Sequence, residues 1–177
     1  MSLILFETKL EGQNVTKASF KEKVDGIQSL LNKQQASLIE VQVAKDFSQI
    51  FFIVETEEQG SVANTFESEG FPIHLQKEVR LVGDDLERIK SQTETVNYIV
   101  EWNLPEHLTM DQYLNRKQQN SVHYAEVPEV SFSRTYVCED MTKCLCFYDA
   151  PDEAAVKRAR EAVNAPIDSI TELGENK

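Results

Sequence analysis

The chain has 177 residues, of which 41% are hydrophobic and 27% charged, as in ordinary soluble globular proteins. Its net charge of −12 argues against nucleic acid and anionic membranes as partners, because both require a clustered basic surface. No transmembrane run and no basic signal-peptide region is present, so we expect a cytoplasmic protein whose three cysteines are reduced.

The first half of the sequence predicts the element order βαββαβ. The apolar residues Phe20, Val24 and Ile27 form one stripe of the first helix. Gly70 and Pro72 end the second helix, since glycine tolerates a left-handed conformation and proline prevents continuation. The predicted elements are a strand over Leu3–Thr8, a helix from Thr16 to about Leu31, a hairpin of Leu38–Val43 and Gln49–Glu55, a helix over Gln59–Glu69, and a strand over His74–Val82.

The second half predicts the same order. Thr109 and Gln112 have the spacing of a capping box, and Asn164 stands at the helix end where the first half has Gly70. The predicted elements are a strand over Tyr98–Trp102, a helix from Thr109 to about Tyr124, a hairpin of Phe132–Cys138 and Lys143–Asp149, a helix opening at Pro151, and a strand over Ile167–Leu173.

The two halves align without gaps when Leu3–Leu75 is set over Asn97–Ser169, an offset of 94 residues. Sequence identity is modest, but helix ends, turns and strands fall in step, and this agreement indicates an internal duplication. We predict a first repeat over residues 1–83, a linker or short helix over 84–96, and a second repeat over 97–177.

The order βαββαβ is typical of the ferredoxin-like fold, in which an antiparallel sheet carries both helices on one face. The predicted fold class is therefore α+β, with tandem ferredoxin-like repeats. We expect the two antiparallel sheets to pack face to face within one chain, as in a dimeric α/β barrel. The alternatives are two units joined only by a linker, or units that each pair with another chain. The protein is then a monomer or a homodimer.

The sheet face opposite the helices is predicted to line a pocket between the sheets. A mostly apolar wall with a few polar groups is typical of ligand sites. The alternative is that Glu40 and Arg134 pair with each other while the rest forms core. A β-bulge would also reverse the assigned faces. Strand alternation gives the candidate wall as Glu7, Glu40, Glu101, Arg134, Tyr136, Cys146 and Tyr148, over Phe52.

Metal-ligating residues are few and scattered in the sequence. Cys144 and Cys146 stand about 7 Å apart on one strand face, a spacing that holds zinc or copper where a histidine joins. Buried thiols acting as small hydrophobes are the simpler interpretation. The other candidate metal site combines His123 with Glu101 or with Glu7. No phosphate loop, nucleophile elbow or dinucleotide fingerprint occurs, so no catalytic residue is assigned.

Four segments of the second half share a family pattern: Tyr98–Glu101, Arg134–Val137, Lys143–Val156 and Pro166–Ile170. In these segments the chain resembles a bacterial domain-of-unknown-function family of small ferredoxin-like proteins with a nickel-responsive, nickel-binding member. The resemblance covers about Asn97–Leu173 and implies a ferredoxin-like fold, paired units and nickel as a ligand. That family commonly has a histidine in the last helix, where this chain has Ala159.

Three functional hypotheses follow from these observations. The leading one is a non-catalytic binding or sensing protein that holds a small ligand or metal ion between its sheets. The second is a small-molecule enzyme of the dimeric α/β-barrel type, a monooxygenase or isomerase, on fold analogy alone. Its polar candidates are Glu101, Arg134, Tyr136 and Tyr148. The third is a non-catalytic protein-interaction module.

Overall fold

The computed structural model describes residues 2–10, 16–83, 86–91 and 96–174. The chain divides into two compact units, Met1–Val79 with Gly174–Lys177, and Arg80–Leu173. Below, the first and second repeats are the βαββαβ sets of these units. In the part of the chain described, no helix combines the length and apolar character needed to span a bilayer.

The first repeat is an antiparallel sheet with the strand order β2-β3-β1-β4. This order is that of the ferredoxin-like fold, as predicted. Thr16 caps the first helix, where its hydroxyl accepts from the backbone N–H of Ser19 at 3.1 Å. The elements are β1 (Ser2–Lys9), α1 (Lys17–Lys33), β2 (Ser37–Val43), β3 (Gln49–Thr56), α2 (Gln59–Ser68) and β4 (Ile73–Val82).

The second repeat has the equivalent antiparallel order β6-β7-β5-β8. The fold class predicted from the sequence, α+β with tandem ferredoxin-like repeats, is therefore confirmed. The face-to-face packing of the sheets and the domain limits stay predictions. The elements are α3 (Leu86–Ser91), β5 (Tyr98–Asn103), α4 (Met110–Asn120), a 3-10 helix (Ser121–Glu126), β6 (Ser131–Cys138), β7 (Lys143–Asp149), α5 (Glu153–Ala162) and β8 (Ser169–Glu172).

Helix α3 is the short helix that the sequence allowed between the repeats, while positions 84, 85 and 92–95 of the predicted linker lie outside the described residues. The predicted capping box also forms: the Thr109 hydroxyl accepts from Gln112 N at 3.2 Å, and Thr109 N donates to Gln112 Oε1 at 3.0 Å. Gly70 and Asn164 both adopt positive φ after their helices, at 87° and 54°.

The two hairpins turn in the same way. Phe47 and Met141, 94 residues apart, both have a φ of 62°. In each turn the preceding aspartate accepts from the backbone two residues ahead, Asp46 from Ser48 N at 3.0 Å and Asp140 from Thr142 N at 3.1 Å. Strands on both sides of each turn are therefore held in the same register.

Each repeat has its own core between its helices and one face of its sheet. In the first repeat this core is built around phenylalanines: the ring of Phe66 lies 4.6 Å from that of Phe52 and 4.9 Å from that of Phe6. In the second repeat the core includes Trp102, Tyr113, Tyr148 and two cysteines. The second core is thus the more polar of the two, although both are built on the same backbone plan.

Candidate functional site

The structure separates the predicted pocket wall into two sets on opposite faces of the sheets. In the second repeat, Cys146 pairs with Val100 and Thr135, and Cys146 and Tyr148 belong to the core under the helices. The assignment of Cys146 and Tyr148 to the open face is therefore wrong. Phe52 is misplaced in the same way, since it lies in the helix-covered core of the first repeat.

The physical reason for this error is that the hairpin strands are apolar on both faces. Residues from Cys144 to Tyr148 are all buried, so no alternation of polar and apolar residues marks which side faces the helices. The register also shifts between Phe132 and Arg134. Counting alternate residues across this point therefore assigns side chains to the wrong face of the sheet.

The other predicted residues do lie on the faces opposite the helices. In the first repeat, Glu7 and Glu40 are buried there. The Glu7 carboxylate accepts from Gln49 Nε2 at 2.9 Å, and the Glu40 carboxylate accepts from Gln42 Nε2 at 2.8 Å. These glutamates thus have amide donors within their own sheet. Whether they also line a pocket stays a prediction.

In the second repeat, Arg134, Tyr136 and Glu101 share the corresponding face. Arg134 and Tyr136 pack on Phe147, with the guanidinium 4.9 Å and the phenol ring 5.5 Å from its ring. Glu101 accepts from Lys143 Nζ at 2.6 Å and from the hydroxyl of Ser169 at 2.8 Å. Glu101 therefore forms an ion pair with Lys143 through one carboxylate oxygen, while its other oxygen accepts from Ser169.

His123, the other weak metal candidate, lies on the opposite side of that sheet from Glu101. It is in the 3-10 helix, half exposed, with Nδ1 2.6 Å from a carboxylate oxygen of Glu126. The proposed pairing of His123 with Glu101 is therefore wrong, because one stands in the helical layer and the other on the open sheet face.

Under the helices of the second repeat, a guanidinium is buried in the core. Arg160 extends from α5 and is only 2% exposed. Its Nη1 donates to Cys146 Sγ at 3.2 Å and to the Tyr148 hydroxyl at 3.1 Å, and its Nη2 donates to the carbonyl of Pro166. Among the described residues, Arg160 Nε has no acceptor. A buried donor without an acceptor costs about 1–3 kcal/mol.

Cys146 accepts hydrogen bonds from several sides. Besides Arg160, the Thr135 hydroxyl donates to its sulfur at 3.4 Å. The pKa of Cys146 is well below the usual thiol value because the Cys144 thiol donates to it, with Lys117 and Arg160 adding positive charge against the cost of burial. The pKa of Cys144 is raised because it keeps the shared proton.

Two tyrosines extend this hydrogen-bonded group toward the helices. The hydroxyls of Tyr124 and Tyr148 lie 2.6 Å apart, and Tyr124 stacks on Phe132 with ring centroids 5.2 Å apart. Burial raises the pKa of both phenols, so both hydroxyls are neutral at physiological pH. The Tyr148 hydroxyl accepts from Arg160 Nη1 without adding negative charge.

A pocket opens over this group between α4, the 3-10 helix, α5 and the sheet. The space between its walls is about 380 Å³ only when every gap between atoms and the open solvent at its mouth are counted. Three of its described lining residues are cationic, Arg116, Lys117 and Arg160, and none is acidic. The described residues that line it are Trp102, Tyr113, Arg116, Lys117, Asn120, Ser121, Tyr124, Cys146, Arg160, Val163 and Ala165.

The two outer cations are held over aromatic rings. Arg116 donates to the carbonyl of Asn164 at 2.7 Å and lies 5.3 Å from the Trp102 ring. The ammonium of Lys117 lies 4.3 Å from the ring of Phe132. Both residues are half-buried, so their charges are screened less than those of exposed side chains. The pocket is therefore positive, although the chain as a whole has 30 acidic and 18 basic residues.

Among its described residues, the first repeat has no counterpart of this polar group. At the offset of 94 residues, Phe52 occupies the place of Cys146 and Phe66 that of Arg160. Those two phenylalanines pack with ring centroids 4.6 Å apart, where the second repeat has its thiol and guanidinium in contact. At these equivalent positions the first repeat therefore has an apolar core, whereas the second repeat has a buried guanidinium beside a thiol.

The burial of Arg160 could have been predicted from the apolar periodicity of the last helix. Val156 and Val163 lie on the inward stripe of the last helix, and Arg160 falls at i+4 from one and i−3 from the other. An arginine in an apolar stripe is a buried-charge candidate. Lys117 and Thr135 had no comparable local signal, because only the packing of α4 and β6 brings them to the pocket.

The described residues do not fit nickel. No group of three His, Cys, Asp or Glu side chains that could hold a metal occurs among them. Cys144 and Cys146 could supply two sulfur ligands. However, the Arg160 guanidinium donates a hydrogen bond to the Cys146 sulfur, and its positive charge repels a divalent cation.

Comparisons with known proteins agree with the fold. Residues 98–173 match the family model described as "Nickel responsive protein SCO4226-like", which confirms the resemblance of the second repeat. No curated protein matches the chain. A protein named as a candidate chlorite dismutase, TA0507, has a TM-score of 0.62 at 13% identity, covering 99% of this chain and 94% of its own.

Two further solved structures also cover the whole chain. A candidate monooxygenase from Lactobacillus acidophilus NCFM has a TM-score of 0.50 at 12% identity, over 100% of this chain and 95% of its own. Another from Fusobacterium nucleatum has a TM-score of 0.51 at 10% identity, over 99% and 92%. At such identities the likeness shows a shared fold alone.

Proposed function

We propose that this protein is a binding or sensing protein that holds a small anionic ligand in the pocket of its second repeat. The observation that carries the proposal is the charge of the pocket: three cations and no described Asp or Glu line it, so the site stays positive even with Cys146 as thiolate, in a chain of net charge −12. Three cations in one concave site favour an anion there. The small-ligand hypothesis from the sequence is thus retained, with the ligand placed under the helices.

Arg160 makes the site selective for a ligand that can accept hydrogen bonds. Its Nη atoms are held by the protein, whereas its Nε has no acceptor among the described residues. An oxygen of an entering anion would satisfy this donor, and hydrogen bonds between ionised partners are stronger than neutral ones. The arginine is held in place before the ligand arrives, so little conformational entropy is lost on binding.

The shape of the pocket favours a small ligand with an apolar portion. Trp102, Tyr113 and Val163 provide apolar surface beside the cations. We propose a small carboxylate or other oxyanion whose charged end meets Arg160 and Lys117, while its carbon portion lies against the indole. The nickel suggested by the family name does not fit the donors, so we do not place it here.

Titration calorimetry on the full chain tests this proposal, with acetate, benzoate and inorganic phosphate as probes. We expect at least one probe to bind and Lys117→Gln to weaken it about tenfold, which is about 1.4 kcal/mol. The matched control is Lys157→Gln, which removes the same charge from an exposed site on α5 that pairs with Glu153 at 3.8 Å.

The control variant should bind the probe nearly as well as the wild type, because an exposed charge is screened by solvent and salt. Equal weakening by both substitutions would mean that only the overall charge of the protein matters. That result, or a failure of all three probes to bind, would overturn the proposal.

A further inference from the structure

Cys146 is set between two different hydrogen-bond donors at the base of the pocket. The Arg160 guanidinium lies 3.2 Å and the Thr135 hydroxyl 3.4 Å from its sulfur, and both side chains are buried. Cys146 itself is among the residues that line the pocket. A sulfur that accepts from a cation and a hydroxyl is stabilised as thiolate, and the thiolate is the nucleophilic form of cysteine.

We infer that Cys146 is a modification site at which a small hydroperoxide converts the thiol to a sulfenic acid. The inference rests on the pocket of the proposed function but not on the anion bound there. The second observation that supports it is Arg160, which lines the same pocket and whose buried Nε has no acceptor among the described residues. A peroxide oxygen beside the sulfur would be such an acceptor.

The reaction balances with the hydroperoxide as the oxidant. The Cys146 thiolate donates an electron pair to one peroxide oxygen, an S–O bond forms and the O–O bond breaks. The second oxygen leaves as hydroxide, or as alkoxide from an alkyl hydroperoxide, and takes up a proton from solvent. Sulfur is oxidised by two electrons and the peroxide is reduced by two, giving the sulfenic acid. Arg160 donates to the developing negative oxygen, as cations commonly do where charge develops.

The other two cysteines serve as internal comparisons. The pKa of Cys144 is raised because it donates its proton to Cys146, and burial raises the pKa of Cys138. Neither thiol is among the residues that line the pocket. All three cysteines are buried, so exposure does not distinguish their reactivity. Cys146 differs in its hydrogen bonds and in lining the pocket. Small oxidants should therefore distinguish them, while bulky thiol reagents should react slowly with each.

The experiment is a peroxide titration of the reduced full-length protein. Hydrogen peroxide is added near neutral pH with a 1,3-diketone that traps sulfenic acids, and each cysteine is quantified by peptide mass spectrometry. We expect trapping at Cys146 at least tenfold faster than at Cys138 or Cys144. Equal rates at all three cysteines, or faster trapping at Cys138, would overturn the inference without any substitution being made.

Two variants test the mechanism. Thr135→Val removes the hydroxyl donor and introduces the residue type found at the equivalent position of the first repeat, Val41. Cys144→Ala removes the thiol donor. Each should slow trapping at Cys146 several-fold, and unchanged rates in both would contradict the role of these donors. Phosphate binding with an unreactive Cys146 overturns this inference alone, whereas a selectively reactive Cys146 without any anion binding overturns only the proposed function.

Discussion

Replacing Cys146 by alanine should remove a pH-dependent part of the folding stability. In the folded protein the pKa of Cys146 is well below that of a free thiol, through the donor Cys144 and the charges of Lys117 and Arg160. In the unfolded chain it is about 8.5. A group whose pKa is depressed by folding stabilises the fold above its unfolded pKa. That stability is lost as the pH falls toward the folded pKa.

The size of the pH-dependent change in the free energy of unfolding follows from the binding of one proton. Between the folded and unfolded pKa values of Cys146, the folded protein binds one proton fewer at this site. The free energy of unfolding then rises by at most about 1.4 kcal/mol per pH unit. Over the part of this interval that lies below about pH 8.5, the wild type should gain stability over Cys146→Ala as the pH rises, by no more than that amount per pH unit. Above that range the difference should level off.

Urea unfolding at constant ionic strength measures this difference, with the fluorescence of Trp102 as the probe. Trp102 is the single tryptophan and lies in the core of the second repeat. The control is Cys138→Ala. Because burial raises the pKa of Cys138, the wild type should lose stability relative to this variant above about pH 8.5, the opposite sign. A wild-type advantage over Cys146→Ala that does not change with pH would refute the thiolate assignment.

Three further predictions concern the cores, a helix cap and nickel. Phe66→Ala should cost about 3–5 kcal/mol of unfolding free energy, because Phe66 is fully buried between other phenylalanine rings; a loss below 1 kcal/mol by urea unfolding would contradict the aromatic core. Thr109→Ala should cost about 1 kcal/mol, since its hydroxyl closes the capping box of α4, and an unchanged midpoint would argue that the cap is not formed in solution. Nickel titrated calorimetrically into untagged protein should bind no tighter in the wild type than in a Cys144→Ala/Cys146→Ala double variant; a stoichiometric site lost in that variant would show that the thiols do hold the metal.

Much of the fold could be predicted because its signals are local. The capping residue Thr109, the left-handed Gly70 and Asn164, and the helical stripes each act within a few residues of sequence. The agreement of these signals between the two halves then predicted the ferredoxin-like order of both sheets. Local steric and hydrogen-bonding rules were enough for this level of structure.

The candidate site was predicted only in part, because it depends on strand faces and on partners far apart in sequence. Cys146 and Tyr148 were identified as pocket residues but assigned to the wrong face. An all-buried strand has no polar alternation, and a register shift beside Arg134 changed the parity. Thr135 and Arg160 were missed because each meets Cys146 only after β6, β7 and α5 have packed together.

The sequence by itself determined the elements, their order and the doubled plan of the chain, since helix caps, turn residues and apolar periodicity act over short distances. Only the tertiary structure decided that one repeat closes around Phe52 and Phe66 while the other places a thiol against a guanidinium. Such a contact between strand and helix is a long-range result of packing, and the burial that makes it energetically important exists only in the folded chain.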